Sequence, residues 1–210
     1  MRKWYPLILI VGAFAFSTIV FGRLPATIPI HWDIRGHANG YSGRMFGAYL
    51  APVFALAMWG LLRGLPLIDP RRTNYAKFQG TYDLVVNAVI TLIAALDVVV
   101  LGKALGWPIP VARLASVSVG AMLLLLGNVL PRARSNWWFG IRTPWTLSSE
   151  SVWTKTHRVG GYLMSAAGVI VLGATLLPAV WSTGVIIGAV TAASLGSVIY
   201  SYFAWREEQP

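Results

Sequence analysis

The sequence predicts an all-α integral membrane bundle of six transmembrane helices, on three observations. Of its 210 residues, 56% are hydrophobic and only 11% charged, where a soluble domain carries about 25% charged residues. The apolar residues gather into six runs near 4–22, 46–65, 81–102, 111–130, 159–179 and 182–204. Each is close to the roughly 20 residues that cross a hydrocarbon layer about 30 Å thick. Of the 17 Lys and Arg residues, 15 fall outside these runs and the other two, Arg63 and Arg113, lie close to run ends, where cations signal orientation. With the N-terminus inside, the inner segments hold Arg2, Lys3, Arg63, Arg71, Arg72, Lys77, Arg132, Arg134, Arg142, Lys155, Arg158 and Arg206. The outer ones hold only Arg23, Arg35, Arg44, Lys103 and Arg113. Both termini are therefore expected in the cytoplasm. The formal net charge of +10 reads as a topology signal, and no nucleic-acid partner is expected. Cys is absent, which excludes disulfides and thiolate ligands.

The first run follows Arg2 and Lys3 as a signal peptide would, but its exit, FGRLPATIP, has no small-residue cleavage site. It is expected to stay as a helix. In the first outer connection, Pro25 and Pro29 stop helical growth while Gly36, Asn39, Gly40 and Gly43 supply turn geometry. Ile28, Ile30, Trp32 and Ile34 alternate with polar positions, which predicts a short extended piece in a structured cap. His31, Asp33 and His37 come nearest to a metal set, but zinc takes four protein ligands, or three and a water. Hydrogen bonding within the loop, or contact with an external ligand, stands ahead of ligation, and no metal is assigned.

The third run carries Asp83, Asn87 and Asp97 on one face at 100° per residue. A carboxylate deep in a membrane helix needs a partner or a wet cavity. For Asp97 the readings are pairing with Lys103 or an outer-loop arginine, snorkelling to the interface, or a conduction or proton role. The sixth run has Gly184, Gly188, Ala192 and Gly196 at steps of four, and Gly161 with Ser165 begins a shorter stripe on the fifth. Small residues let helices approach closely, so the stripes suit a hairpin between these helices or a homodimer contact. Tryptophan and tyrosine at the helix ends suit interfacial anchoring.

The fourth connection, 132–158, is the most unusual. Trp137, Trp138, Trp145 and Trp153 alternate with Arg132, Arg134, Arg142, Lys155 and Arg158. Thr143 precedes Pro144, which disfavours helix at that point, and Ser148 or Ser149 can cap a new helix. The pattern predicts a short amphipathic helix over 150–158, along the cytoplasmic interface before the fifth span. Arg142 offers a bidentate fork to carboxylate or phosphate, membrane lipid included. His157 has no paired acid, and Ser148, Ser149 and Ser151 lack the base and orienter of a nucleophile. No Walker loop, dinucleotide fingerprint or paired-carboxylate motif occurs. No enzyme, catalytic residue or cofactor is expected.

With RTPWTL…VWTKTHRVGG in view, the chain resembles the SdpI family of bacterial integral membrane proteins. The segment LPATIPIHWDIRGHANGYSGR resembles the uncharacterised N-terminal domain often joined to that module. The inner signature falls on Asn136, Gly140, Arg142, Thr143, Pro144, Trp145, Thr146, Trp153, Thr156, His157, Arg158 and Gly160. The outer one falls on Leu24, Pro25, Ile28, Pro29, His31, Trp32, Gly36 and Tyr41.

The resemblance implies a cytoplasmic-membrane immunity protein that protects against a secreted peptide toxin. In the best-known system this is coupled to capture of a cytosolic winged-helix repressor. It also suggests a division into a two-helix module with its outer loop (1–65), the third helix with flanking loops (66–110), and an SdpI-like module of three helices (111–210). The candidate inner loop is Asn136, Arg142, Thr143, Pro144, Trp145, Trp153, Thr156, His157 and Arg158; the candidate outer loop is Pro25, Pro29, His31, Trp32, Asp33, Gly36 and Tyr41. The alternatives are a small transporter using the polar face of the third helix and a membrane scaffold.

Overall fold

The structure, a computed structural model, describes residues 4–209; Arg2 and Lys3, counted above among the inner cations, lie outside them. The chain forms two compact units, Met1–Arg63 with Val86–Ala115, and Gly64–Val85 with Ser116–Pro210.

In the first unit, α1 (Tyr5–Val20) opens with Pro6 in its first turn, where a missing N–H leaves no bond unmade. It tightens into a 3-10 turn and stops at Leu24, which is extended ahead of Pro25. Ile10, Ala13, Ser17 and Val20 are buried along one face, as steps of three and four dictate. They meet α2 (Arg44–Gly64) and the later part of α3 (Tyr75–Ala104) in two apolar clusters. One is Ile10, Ala55, Ile90 and Ile93. The other is Val20, Leu24, Ile28, Ala48 and Leu101.

The extended piece expected after the first helix is β1 (Thr27–Trp32), paired antiparallel with β2 (Ala38–Gly43). Ile28 lies opposite Ser42 and His31 opposite Gly40, with register shifts on either side of His31. Gly36 closes the turn at φ +83°, a left-handed conformation that favours glycine. The fully buried Ile28 fixes the hairpin to α2: a Cβ at Gly47 would land on its Cδ1 atom.

The second unit comprises the start of α3, most of α4 (Val111–Val129), α5 (Pro144–Ser148), α6 (Glu150–Ala174) and α7 (Ala179–Arg206). The expected hairpin of the last two helices is present. Gly160 faces Ser197, Leu163 faces Gly196, and Lys155 lies near Glu208, pairs that run in opposite directions. Its contact face differs from the expected one. Ser182, Ala193, Ser197, Ser201 and Ala204 are the buried residues of α7 among those described; of the expected stripe Gly196 meets Leu163, while Gly184 and Gly188 face open space. The glycines of α6 instead bring its backbone close to that of α4. A Cβ at Gly161 would lie 2.7 Å from the Gly127 carbonyl, and one at Gly168 would lie 2.9 Å from that of Gly120.

A leucine at Gly161 is therefore expected to force α4 and α6 apart, at about 1–3 kcal/mol or more of overpacking. A leucine at Gly188 leaves the α6–α7 contact unchanged. Disulfide cross-linking between introduced cysteine pairs, in a chain with none of its own, measures both. Unchanged α4–α6 cross-linking in Gly161→Leu contradicts the contact.

The expectation of six crossing helices is corrected. Among the described residues, five helices are long and apolar enough to cross a membrane: Tyr5–Arg23, Arg44–Leu67, Arg72–Ala104, Val111–Arg132 and Trp181–Arg206. The helix α6 is not among them. The interfacial helix expected over 150–158 and the span expected over 159–179 are one continuous helix that ends at Ala174. Its first three turns carry Glu150, Lys155, His157 and Arg158. The charge-free remainder is about 24 Å long at 1.5 Å per residue, short of a hydrocarbon layer about 30 Å thick. The expectation of both termini in the cytoplasm was counted on six crossings and does not carry over to five.

Candidate functional site

The connection from 133 to 149 folds into an elbow that three buried polar centres hold. The first is Asp69, in the turn that precedes α3. Its Oδ1 accepts from the backbone N–H of Arg71 at 2.7 Å. Its Oδ2 accepts from the Tyr75 hydroxyl at 3.0 Å and from the backbone N–H of Trp137 at 2.9 Å. The Arg71 guanidinium donates to the Ser135 hydroxyl, and to the Leu147 carbonyl at 2.7 Å. The connection before α3 and the elbow are thus tied by charge-assisted bonds.

The second centre is Asn136, fully buried. Its Oδ1 accepts from the N–H groups of Trp138 and Phe139, at 2.9 and 2.7 Å, and shares with Asp69 the single proton of the Tyr75 hydroxyl, 3.2 Å away. Its amide donates to the carbonyls of Arg134 and Phe139, at 2.8 and 2.9 Å. One side chain thereby satisfies most of the backbone of a turn that has no ladder of its own.

The third centre is His157 on α6, also fully buried. Its Nδ1 lies 2.8 Å from the Trp153 carbonyl, which can only accept. Its Nε2 takes the N–H of Ile141 at 3.0 Å, so the ring is neutral with its proton on Nδ1. Burial pushes the imidazole pKa down to about 4 against a smaller opposing effect of the Trp153 bond. The ring stacks on Trp153 with centroids 3.9 Å apart, and the Trp153 indole N–H donates to the Ala133 carbonyl at 2.9 Å. Gly140 has φ +110°, and a Cβ there would land on Nε2 of His157.

Two caps complete the elbow. Thr143 and Thr146 form a reciprocal capping box around α5, and the Thr143 hydroxyl meets that of Ser201 at 3.0 Å. Ser149 caps α6 by accepting from the N–H of Val152 and donates to Glu208 at 2.8 Å. The serine cap expected at 148 or 149 is Ser149.

The candidate inner residues therefore fall into two sets. Asn136, Thr143, Trp153, Thr156 and His157 are buried, whereas Arg142, Pro144 and Arg158 are exposed and Trp145 is half-buried against Tyr202. Arg142 donates to the Trp137 carbonyl at 2.8 Å. Trp137 and Trp138 beside it are 47% and 40% exposed, so the elbow presents two indoles and a guanidinium together. Asp69 and Arg71 escaped sequence reasoning; the signal was Asp69-Pro70, a pair typical of side-chain-stabilised turns.

In the hairpin, Pro25, His31 and Tyr41 are exposed, and Pro29, Trp32, Asp33 and Gly36 are half-buried. His31 Nδ1 donates to Asn39 at 2.5 Å. Asp33 Oδ1 accepts from the N–H groups of Arg35 and His37, at 2.8 and 2.9 Å, and its Oδ2 lies 3.5 Å from His37. The backbone bond from His37, with that from Arg35 and the imidazole, holds the carboxyl below its ordinary range. Among the described residues no group of three or more His, Cys, Asp and Glu is placed to hold a metal.

On α3, Asp97 is fully buried and accepts from Ser17 of α1 at 3.4 Å, not from Lys103 or an outer-loop arginine. Asn87 and Asp83 are half-buried.

Comparison with known proteins gives two family matches. Residues 132–201, which contain the elbow and most of α6 and α7, match the SdpI/YfhL protein family. Residues 8–56, which contain the hairpin, match a domain of unknown function, DUF1648. The immunity protein SdpI of Bacillus subtilis (strain 168) is 25% identical over 201 residues, covering 96% of this chain and 94% of that protein. No solved structure matches.

Proposed function

We propose, on the premise that this chain is a homologue of the SdpI/YfhL family, that it is a non-enzymatic immunity protein of the bacterial cytoplasmic membrane that protects its cell against a secreted peptide toxin. The observation that carries this reading is the match along nearly the whole of both chains to a protein named for immunity. The hairpin is the toxin-contacting element and the elbow is the contact for a cytosolic winged-helix repressor. What supports the second role is the division of the elbow into a buried polar scaffold and an exposed face of Trp137, Trp138 and Arg142. Tryptophan and arginine are the residues that most often anchor protein interfaces. Coupling between the elements is a free energy linking two sites, measured as a change in repressor capture when toxin is added.

The test is expression of this chain in cells that a secreted peptide toxin kills, with pull-down of cytosolic proteins from the same membranes. The wild-type chain is expected to protect. His31→Ala impairs protection and Arg142→Ala impairs capture, with both variants inserted normally. Killing of cells that carry the wild-type chain in their membrane contradicts the immunity reading. Wild-type behaviour of both variants contradicts the site assignments.

A further inference from the structure

We propose that a cavity beside the elbow seats the zwitterionic headgroup of an ethanolamine phospholipid. The cavity has a volume of about 320 Å³ and lies wholly within the second unit, lined by Asn74, Lys77, Arg134, Ser135, Glu150 and Trp153 among others. Its size falls in the range of small-molecule sites, about 300–1,000 Å³.

Its charges are left open for a ligand. The guanidinium of Arg134 is exposed and has no hydrogen-bond or ion-pair partner among the described residues. Among the described residues the Lys77 ammonium reaches only a neutral acceptor, Asn74 Oδ1 at 3.1 Å. The wall beneath them is rigid. Ser135 and Trp153 are buried, the Ser135 carbonyl accepts from Asn74 at 2.8 Å, and Trp153 is fixed through Ala133. Glu150 is the first residue of the 25-residue α6, so the positive end of a long helix dipole also faces the cavity. A phosphodiester satisfies the two cations and that helix end.

Glu150 decides which phosphodiester. An exposed carboxylate on the rim repels a purely anionic headgroup but accepts hydrogen bonds from a primary ammonium. A choline headgroup carries the same charge without N–H donors, so it makes only the weaker Coulomb contact. Depth identifies the source. Asn74 and Lys77 belong to the first turns of the Arg72–Ala104 span, and Arg134 and Ser135 directly follow the Val111–Arg132 span. The lining residues thus sit where apolar helices end and headgroups begin.

The experiment is native mass spectrometry of the purified full chain with dioctanoyl phosphatidylethanolamine, phosphatidylglycerol and phosphatidylcholine at equal concentrations, with inorganic phosphate as a competitor. Phosphatidylethanolamine is expected to be retained over both other lipids and to resist displacement by phosphate. Arg134→Gln weakens its retention about tenfold, the loss of one charge-assisted contact. Glu150→Gln abolishes the preference over phosphatidylglycerol. Lys155→Gln, which removes a cation outside the cavity, behaves as wild type. Equal retention of the three lipids, unchanged binding in Arg134→Gln, equal loss in Lys155→Gln, or displacement by inorganic phosphate overturns the proposal.

Discussion

Replacing Asn136 by Ala is expected to unfold the elbow locally, at a cost of about 3 kcal/mol or more. The side chain is fully buried and makes five hydrogen bonds. Alanine leaves two backbone N–H groups, two carbonyls and the Tyr75 hydroxyl without that partner. Each buried group left unmade costs about 1–3 kcal/mol, and relaxation with water entry recovers part of the sum. Hydrogen exchange over 134–146 is the direct measurement: protection falls throughout that segment while α1, α2 and the hairpin exchange as before. Asn136→Asp separates charge from shape, since a carboxylate accepts the same three bonds but cannot donate the other two. It should lose less than alanine. Wild-type exchange in Asn136→Ala contradicts the assignment of Asn136 as the organiser of the turn.

Acidification is expected to loosen the same elbow through His157. The folded pKa, about 4, lies below the ordinary value of 6.5. The opened elbow therefore takes up the proton more readily than the closed one. Stability is full above about pH 6.5 and falls as pH drops toward 4, by on the order of 3 kcal/mol at 1.36 kcal/mol per pH unit. The physical event is conversion of Nε2 from acceptor to donor, which sets two N–H groups, its own and that of Ile141, against each other. Glu208 does not explain the upper part of the window. The Ser151 and Ser149 hydroxyls and Lys155 hold its pKa below the ordinary 4.5, so its contribution is lost only at lower pH. His157→Phe keeps a ring on Trp153 but neither accepts a proton nor takes the Ile141 bond. The variant should be looser than wild type at pH 7 and flat between pH 6.5 and 4.5. An equally steep wild-type and variant response contradicts the account.

These two residues also show what the sequence made legible. The polar, aromatic segment 136–158 stood out between apolar runs, and its order of residues pointed to the family. The Ser149 cap, the Thr143-Pro144 helix start and the extended run at 27–32 followed from local rules, because each depends on neighbours within a few positions. The burial of His157 and Trp153 did not follow. On a helical wheel they suit a membrane surface equally well, and only the approach of Ala133 and Ile141 from the preceding loop encloses them. Asp69 was hidden for the same reason, since one of its acceptor bonds reaches 68 positions along the chain. Of the small-residue stripes, Gly196 packs on α6 as expected, Gly184 and Gly188 face open space, and Gly161 packs on α4 rather than α7. Charge at 150–158 reads as a boundary in the sequence, yet α6 continues through Arg158 because Glu150, Lys155 and Arg158 occupy its exposed side.

In the proposed function the buried residues of the elbow hold a shape and its exposed residues use that shape to recognise a partner. Arg142→Ala tests the claim most directly, read by hydrogen exchange over 134–146 and by capture of cytosolic protein from the same membranes. Exchange is expected to stay close to wild type, since the guanidinium is exposed and among the described residues bonds the Trp137 carbonyl, together with loss of capture. Loss of exchange protection would make Arg142 part of the scaffold, and full capture with an intact elbow would leave the exposed face without the role assigned to it; either result contradicts the account.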